Sequence, residues 1–298
     1  MAEVSIILPL YNGARYVAET LRSIGAQQHA DAELIVVDDG STDESPEMVQ
    51  RVCADSGSSI LQSLRLIAQP NQGVAVARNQ GVAAARGRWL AFIDQDDLWQ
   101  PDKLARQLAA LKAAPQARWC YSAFVRFYDS GREVPKCDGT ADRVGTLRRL
   151  LEGKLFIPPA AALVAREACT AVGGFDAAFV PSDDWDFFLK LAESYECCYC
   201  PEMLTRFRSH RGSTGKRQRL RIFEAQREVL ARHAPRVADV VPPEVARRRE
   251  ATILWHLGRE AEAAGAHAEA RHYFREAVKR HPLRVKLLRT WLLSYCRF

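Results

Sequence analysis

The chain has 298 residues, of which 48% are apolar and 26% are charged, and its formal net charge is +6. This composition is typical of a globular protein and excludes a fibrous or disordered chain, and the length fits one large domain with an appendage or two ordinary domains. No run approaches the eighteen or so consecutive apolar residues of a membrane span, and the amino terminus lacks the basic start and long apolar core of a signal peptide. We therefore expect a cytoplasmic location.

The first hundred residues alternate short apolar runs with segments that carry apolar residues at helical spacing. Strands are predicted at EVSIILPL (3–10), ELIVVD (33–38), LRLIAQ (64–69) and RWLAFID (88–94). Helices are predicted between them, in ARYVAETLRSIGAQ (14–27), PEMVQRVCA (46–54) and GVAVARNQGVAAA (73–85). Such alternation predicts an α/β fold with a mostly parallel, Rossmann-like sheet covered by helices on both faces.

Polar stretches follow each of these four predicted strands. They read YNG, DDGSTD, NQG and DQDD in chain order. In open sheets of this kind, ligands bind at the carboxyl ends of the strands. We therefore expect the four loops to converge on one crevice.

The last third of the chain has a different character. After about residue 215 it is helical in pattern, and residues 255–282 resemble a single tetratricopeptide helix pair, which is too little for a repeat array. The final segment, PLRVKLLRTWLLSYCRF, predicts a basic amphipathic helix. Such a helix either lies on the anionic inner surface of a membrane or docks on the domain with its basic edge in solvent.

The acidic stretch FIDQDDLW places Asp94, Asp96 and Asp97 at the end of the fourth strand. Converging carboxylates suit Mg²⁺ or Mn²⁺, which also take phosphate oxygens as ligands. A solvated loop is the alternative.

Two further side chains are predicted at the same crevice. A carboxylate at the end of the second strand, Asp39, is placed to accept hydrogen bonds from a base or a ribose hydroxyl. Arg78 lies on a helix that begins at the same crevice and is suited to pairing with phosphate.

Four blocks together resemble the signatures of glycosyltransferase family 2. They are VSIILPLYNGARYVAETLRSI, ELIVVDDGSTD, NQGVAVARNQGVAAARGRWLAFIDQDD and GGFDAAFVPSDDWDFFLKLA. The resemblance covers roughly residues 1–212 and implies the nucleotide-diphospho-sugar transferase fold called GT-A, with inversion at the anomeric centre. Together with the helical pattern that begins after about residue 215, it predicts a catalytic domain at residues 1–215 and a helical region at 216–298.

The resemblance assigns roles to individual positions. Pro9, Tyr11 and Asp39 are similar to residues of the nucleoside pocket, and Arg78 matches a position that faces the nucleotide. Asp94 and Asp96 resemble the Asp-x-Asp pair. In that pair Asp94 would lie nearer the ribose and the donor sugar, and Asp96 is the expected ligand of Mn²⁺ or Mg²⁺, with Asp94 or Asp97 as further ligands.

The remaining implied positions lie on the acceptor side. The family commonly has Glu-Asp where this chain has Asp183-Asp184, so the first position departs from the pattern, and Asp184 is the expected general base. A helix cap is its alternative role. In RFRSHRGSTG, His210 is expected near the diphosphate or metal, and Ser213 and Thr214 begin an expected mobile loop.

These features predict a metal-dependent, inverting hexosyltransferase that moves a sugar from a nucleotide-diphospho-sugar, with a UDP-sugar as the favoured donor. The Gln-x-x-Arg-Trp motif of processive members is missing after the acceptor block, since Gln116-Ala117-Arg118-Trp119 has the wrong spacing and location. The expected acceptor is a saccharide or lipid-linked saccharide in cell-surface polysaccharide synthesis. The alternatives are a sugar-1-phosphate nucleotidyltransferase of related fold and a non-catalytic helical scaffold. Nucleic-acid binding is not expected, because the surplus charge is small and no aromatic-basic motif accompanies it.

Overall fold

The structure of the chain is a computed structural model that describes residues 2–29, 31–210, 212, 218–282 and 291. These residues form one sheet of nine strands, in which eight follow the order β3-β2-β1-β4-β8-β6-β9-β5 and β7 pairs with β6 alone. The order places the strands of the first hundred residues together in one half of the sheet. The fold is therefore a mixed α/β structure with two distinct halves.

The first half contains parallel strands only. Its strands are β1 (Val4–Leu10), β2 (Ala32–Asp38), β3 (Arg65–Ala68) and β4 (Trp89–Phe92). Its helices are α1 (Val17–Gly25), α2 (Ser45–Ala54), α3 (Ser59–Gln62) and α4 (Val74–Ala84). Every residue of β1 and β2 is buried, as expected for strands covered on both faces. The four strands and three helices predicted for this region are confirmed.

The second half adds antiparallel pairs. Its strands are β5 (Leu98–Trp99), β6 (Ala117–Tyr128), β7 (Glu133–Lys136), β8 (Ala162–Ala165) and β9 (Glu196–Ser209). Its helices are α5 (Lys103–Ala113), α6 (Arg143–Glu152), α7 (Arg166–Ala171) and α8 (Asp183–Ser194). Strand β8 runs antiparallel to both β4 and β6. Strands β4 and β6 therefore run in the same direction, and their carboxyl ends lie at the same edge of the sheet.

Three further helices follow the sheet: α9 (Arg219–His233), α10 (Pro243–Ala263) and α11 (His267–Arg280). Helices α10 and α11 form a hairpin in which a Cβ atom at Gly258 would lie 2.4 Å from the ring of Phe274, so a glycine is needed for this close contact. Val229, Leu230 and Ile253 belong to the same hydrophobic core as the sheet. The appended helices are thus packed on the domain, and the boundary near residue 215 stays a prediction.

Two predictions concern segments outside the described residues. The loop at Ser213 and Thr214 is one, and the basic tail is the other, since only residue 291 is described beyond residue 282. Within the described part of the chain, no helix has the length and apolar character that crossing a bilayer requires.

Candidate active site

The loops that follow the parallel strands meet at the carboxyl edge of the sheet, as predicted. The amide nitrogen of Tyr11, after β1, donates to Gln95 Oε1 at 2.8 Å, and Gln95 Nε2 donates back to the Tyr11 carbonyl oxygen at 3.0 Å. The amide nitrogen of Thr42, after β2, donates to Asn12 Oδ1 at 2.8 Å. A Cβ atom at Gly13 would lie 2.4 Å from Gln95 Oε1. Hydrogen bonds between side chains and backbone thus join three loops from distant parts of the chain.

Asp39 connects the end of β2 with the loop that follows β3. Its Oδ1 accepts hydrogen bonds from the amide of Gln72 at 2.8 Å and from Gln69 Nε2 at 2.7 Å, and its Oδ2 accepts one from the amide of Gly73 at 2.8 Å. The residue is 3% exposed. Asp39 therefore shapes the predicted nucleoside pocket from within the protein. Beside it, Pro9 lies in β1 opposite Val37 of β2, and Tyr11 is 47% exposed at the mouth of the crevice.

Arg78 of α4 connects the two acidic blocks that the sequence singled out. Its Nη2 donates to Asp94 Oδ1 at 2.6 Å, and its Nη1 donates to Asp183 Oδ2 at 2.9 Å. The guanidinium is buried and lies 5.0 Å from the centre of the Phe175 ring. Two charge-assisted contacts in a buried setting hold the end of β4 and the start of α8 in a fixed relation.

Asp96 pairs with His210, which the sequence also predicts to be a site residue. His210 Nε2 lies 2.9 Å from Asp96 Oδ2, and the ring of His210 packs against that of Tyr16 with 4.9 Å between centres. Burial, followed by the charge of Asp94, raises the pKa of Asp96, while the contact with His210 opposes this shift. A carboxylate with a raised pKa beside a second carboxylate is a suitable place for a cation.

Asp97 points to the interior. It is 1% exposed, and its Oδ1 accepts a hydrogen bond from the amide of Arg208 at 2.8 Å. Its buried Oδ2 has no hydrogen-bond partner among the described residues. Burial, together with the charges of Asp96 and Asp94, raises the pKa of Asp97 well above its ordinary value. This position ties the acidic loop to β9, and a direct contact of Asp97 with a metal ion stays a prediction.

Asp183 and Asp184 form the first turn of α8. The helix begins at Asp183, so Asp184 lies inside the first turn and does not occupy the cap position, which belongs to Ser182. Burial, followed by the charge of Asp183, raises the pKa of Asp184 to about 7, although Arg78 opposes the shift. A half-buried carboxyl group with such a pKa can take up a proton near neutral pH.

The donor set fits a divalent cation only in part. Among the described residues, no group of three or more histidine, cysteine, aspartate and glutamate side chains is arranged to hold a metal ion. Asp96 and His210 supply an oxygen and a nitrogen close together. Mg²⁺ is commonly bound by one or two carboxylates, with waters and substrate phosphates as the other ligands. The site therefore suits a cation that arrives with a phosphate ligand.

Sequence reasoning missed one residue of the site, Gln95, and one contact, the ion pair of Arg78 with Asp183. The side chain of Gln95 is hydrogen-bonded to the loop after β1, and Asp183 forms an ion pair with Arg78. The position of Gln95 between Asp94 and Asp96 is the signal that could have identified it. The sequence carries no signal for the ion pair of Arg78 with Asp183, because 105 positions separate the two residues.

Comparison with known structures identifies the fold as GT-A. The structure of S. aureus TarS in complex with UDP-GlcNAc has a TM-score of 0.69 and 17% identity, and the match covers 96% of this chain and 83% of that one. The mannosyltransferase PcManGT from Pyrobaculum calidifontis, in complex with GDP-Man and Mn²⁺, has a TM-score of 0.63 and 23% identity, with 98% and 85% covered.

Sequence comparison gives closer relatives over shorter spans. An uncharacterised glycosyltransferase of Nostoc is 42% identical over 35% of this chain and 31% of its own length. TuaG of Bacillus subtilis, whose name assigns it to teichuronic acid biosynthesis, is 40% identical over 35% of this chain and 40% of its own length. The chain thus matches less than half the length of these relatives. Residues 5–173 match the sequence model of glycosyl transferase family 2, and the chain belongs to this family.

Proposed function

We propose that the chain is an inverting, non-processive glycosyltransferase that moves a sugar from a nucleotide-diphospho-sugar to a hydroxyl group of a saccharide or lipid-linked saccharide. The observation that carries this proposal is the bridge of Arg78 between Asp94 and Asp183. It holds the carboxylate expected at the donor beside the acidic pair expected at the acceptor. A transfer reaction needs these two groups of residues at one place.

The donor is proposed from the crevice at the carboxyl edge of the parallel strands. Pro9, Tyr11 and Asp39 would line the nucleoside pocket, and Arg78 and Asp94 would face the diphosphate and the donor sugar. Two proteins with the same fold bind nucleotide sugars in their structures, TarS with UDP-GlcNAc and PcManGT with GDP-Man. We keep a UDP-sugar as the favoured donor.

Asp96, with His210 beside it, would hold a divalent metal ion, and Asp94 or Asp97 would assist. Such an ion, Mn²⁺ or Mg²⁺, would neutralise the charge that develops on the diphosphate leaving group. The PcManGT complex contains Mn²⁺ together with its nucleotide sugar, which supports a metal in this fold. In this chain, Arg78 would stabilise the same region, because its guanidinium lies against Asp94.

Asp184 would act as the general base. Its pKa, raised to about 7, makes it a stronger base than an ordinary aspartate while leaving it largely ionised slightly above neutral pH. It would take the proton from the acceptor hydroxyl as the oxygen attacks the anomeric carbon from the side opposite the leaving group. A single displacement of this kind inverts the anomeric centre.

The proposed setting is polysaccharide biosynthesis in the cytoplasm, with a peripheral contact between the basic tail and the inner membrane surface. The name of TuaG supports the setting. Support for the membrane contact is the sequence of the tail alone.

A panel of UDP-, GDP- and dTDP-sugars tests the proposal, with nucleotide release measured in the presence of Mn²⁺, Mg²⁺ or EDTA. We expect release from one nucleotide class, and we expect EDTA to abolish it. Asp96→Asn should reduce metal-dependent release strongly, and Asp55→Asn, which alters an exposed residue directly after α2, serves as a matched control. If calorimetry detects no binding of UDP, GDP or dTDP with either metal, the proposal is wrong.

A further inference from the structure

A cavity lies beside the acceptor side of the site and has no role in the steps proposed above. Its volume is about 200 Å³, and its walls come from β6, β7, β9 and the segment after α6. Since a water molecule takes up about 30 Å³ in the liquid, this is room for roughly six waters. It is enough for a small charged group and part of a sugar ring.

The walls of the cavity combine aromatic rings with cationic side chains. The cations are Arg126, Lys136 and Lys154, and Asp138 is the acidic residue among the lining residues. The aromatic residues are Tyr121, Phe124, Phe156 and Tyr199. Three cations against one carboxylate make the cavity electropositive, and rings of this kind pack against the faces of sugars as apolar surfaces.

Two of these cations carry a charge that no described ion pair neutralises. Lys154 lies 2.9 Å from Glu152 and is already paired. Arg126 and Lys136, in contrast, form no ion pair within the described part of the chain. The Arg126 guanidinium lies over the rings of Phe156 and Phe207, at 5.8 and 5.5 Å from their centres. These rings hold it in place without neutralising it.

Unpartnered polar atoms mark the same cavity. Ser122 is 3% exposed, and its Oγ has no hydrogen-bond partner among the described residues. The Nε of Arg126 is likewise buried without a described partner. Buried polar groups are nearly always hydrogen-bonded in folded proteins. A hydroxyl group and a guanidinium nitrogen left unsatisfied at one cavity therefore point to a ligand with acceptor oxygens.

The carboxyl end of α6 connects the cavity with the helix that carries the proposed base. Gly153 lines the cavity, and a Cβ atom there would lie 2.3 Å from the side chain of Arg249. Arg249 in turn lies over the ring of Trp185, at 5.4 Å from its centre, and Trp185 Nε1 donates to the carbonyl oxygen of Leu150 at 3.1 Å. Trp185 directly follows Asp184. The end of α6 is thus in contact with the first turn of α8.

We propose that this cavity binds the acidic group, a carboxylate or a phosphate, of an anionic saccharide acceptor. The inference rests on the proposed function, since it places the acceptor hydroxyl at Asp184. Arg126 and Lys136 supply the charge, Ser122 donates a hydrogen bond, and Phe156 supports the sugar ring. The neutral part of the acceptor then extends toward the first turn of α8.

Calorimetry with three small probes tests the proposal: methyl glucoside, methyl glucuronide and glucose 6-phosphate, each added to the full chain with UDP and Mn²⁺ at low salt. Charge-assisted hydrogen bonds contribute more than neutral ones, so we expect at least one anionic probe to bind about tenfold more tightly than the neutral sugar. The two anionic probes separate a carboxylate ligand from a phosphate ligand. Equal affinity for all three probes would overturn the proposal.

Matched variants locate the binding. Arg126→Gln and Lys136→Gln should each remove most of the preference for the anionic probe. Arg132→Gln, in the exposed turn before β7, should keep it. Lys136 lies on a strand that pairs only with β6, so its substitution tests the cavity even if Arg126→Gln does not fold. If the preference survives in Lys136→Gln, the cavity is not its source. Nucleotide release from the donor would continue in that case, which separates this failure from failure of the proposed function.

Discussion

Helix α8 carries two acidic regions whose electrostatic surroundings differ. At its start, Asp183 and Asp184 are crowded together, and Arg78 is the cation that contacts Asp183. Burial raises the pKa of Asp183, although Arg78 opposes the shift, and the pKa of Asp184 rises to about 7. Negative charge in this turn is therefore incompletely neutralised.

Two residues further on, Asp186 is surrounded by cations. Its Oδ1 lies 2.9 Å from His233 Nε2 and 3.3 Å from Arg232, and its Oδ2 lies 2.9 Å from Lys190. Burial alone would raise the pKa of Asp186, but the hydrogen bonds to His233 and Lys190 outweigh it and lower the pKa. His233 also contacts Glu193.

The comparison distinguishes the incompletely paired carboxylate of the proposed base, Asp184, from the paired structural carboxylate of Asp186. Both carboxylate oxygens of Asp186 lie in ion pairs, so its ionised form stabilises the packing of α9 on α8. Asp184 lacks such pairing, so its carboxylate would be free to accept a proton from a substrate. Perturbed pKa values of the second kind are typical of functional sites.

The largest effect on stability is expected from His233→Ala. His233 is fully buried between Asp186 and Glu193, and its removal leaves two acidic groups without their shared partner. Breaking a buried ion pair in this way costs about 3–5 kcal/mol. Chemical denaturation should show this loss in the free energy of unfolding. The control is His29→Ala, whose partly exposed pair with Glu3 should contribute less than about 1 kcal/mol. Equal losses of unfolding free energy in the two variants would contradict a special structural role for His233.

The pH dependence of kcat/KM reports the base directly. If Asp184 must be ionised to accept a proton, activity should fall about tenfold per pH unit below its pKa of about 7. Initial rates between pH 5 and 8 measure this. A profile that stays flat down to the ordinary pKa of an aspartate, about 4, would exclude Asp184 as the group that titrates.

Asp183→Asn should move that profile. The charge of Asp183 raises the pKa of Asp184, and its loss also leaves Arg78 with one acidic partner fewer. Both changes favour the ionised form of Asp184, so the acid limb of kcat/KM should shift to lower pH. An upward shift, or none in a folded variant, would show that Asp183 does not act on the base. The variant's melting temperature must be followed, since its ion pair with Arg78 is lost.

A smaller effect concerns the pH dependence of stability. Burial alone would lower the pKa of His233, but hydrogen bonds to Asp186 and Glu193 raise it. The stabilisation by protonated His233 is therefore fully present below its unfolded pKa of about 6.5 and is lost as the pH rises through the higher folded pKa. The same carboxylates are also contacted by Arg232, Arg236 and Lys190.

The difference in free energy of unfolding between the unaltered protein and His233→Gln measures this term. It should shrink as the pH rises from below about 6.5 through the higher folded pKa of His233. A constant difference over this range would mean that His233 does not titrate between its folded and unfolded pKa values.

Much of the parallel half was predictable from sequence. Strands β1, β2 and β4 are continuous apolar runs, each followed by a polar loop, and such runs have few alternatives to a covered parallel sheet. The convergence of YNG and DQDD followed from the rule that carboxyl ends share one edge. The short helix α3 was missed because its four residues are too few to show a helical period.

The electrostatic contrast along α8 was not predictable. Asp183, Asp184 and Asp186 stand in one short stretch and look alike in the sequence. Their difference comes from α4 and α9, which bring Arg78 and His233 from 105 and 47 positions away. No local pattern encodes such contacts. The cavity beside β6 was also not predictable from sequence, because its walls come from four separate segments.

The most direct test of the account sets Asp184→Asn beside Asp186→Asn, with turnover of the nucleotide sugar, binding of UDP and melting temperature measured for each. For Asp184→Asn we predict a loss of turnover of about 10²- to 10⁴-fold, with UDP binding and melting temperature preserved. For Asp186→Asn we predict a lower melting temperature, with turnover well below that temperature within about tenfold of the unaltered protein. Full turnover in Asp184→Asn, or loss of UDP binding as large as the loss of turnover, would contradict the assignment of Asp184 as the base.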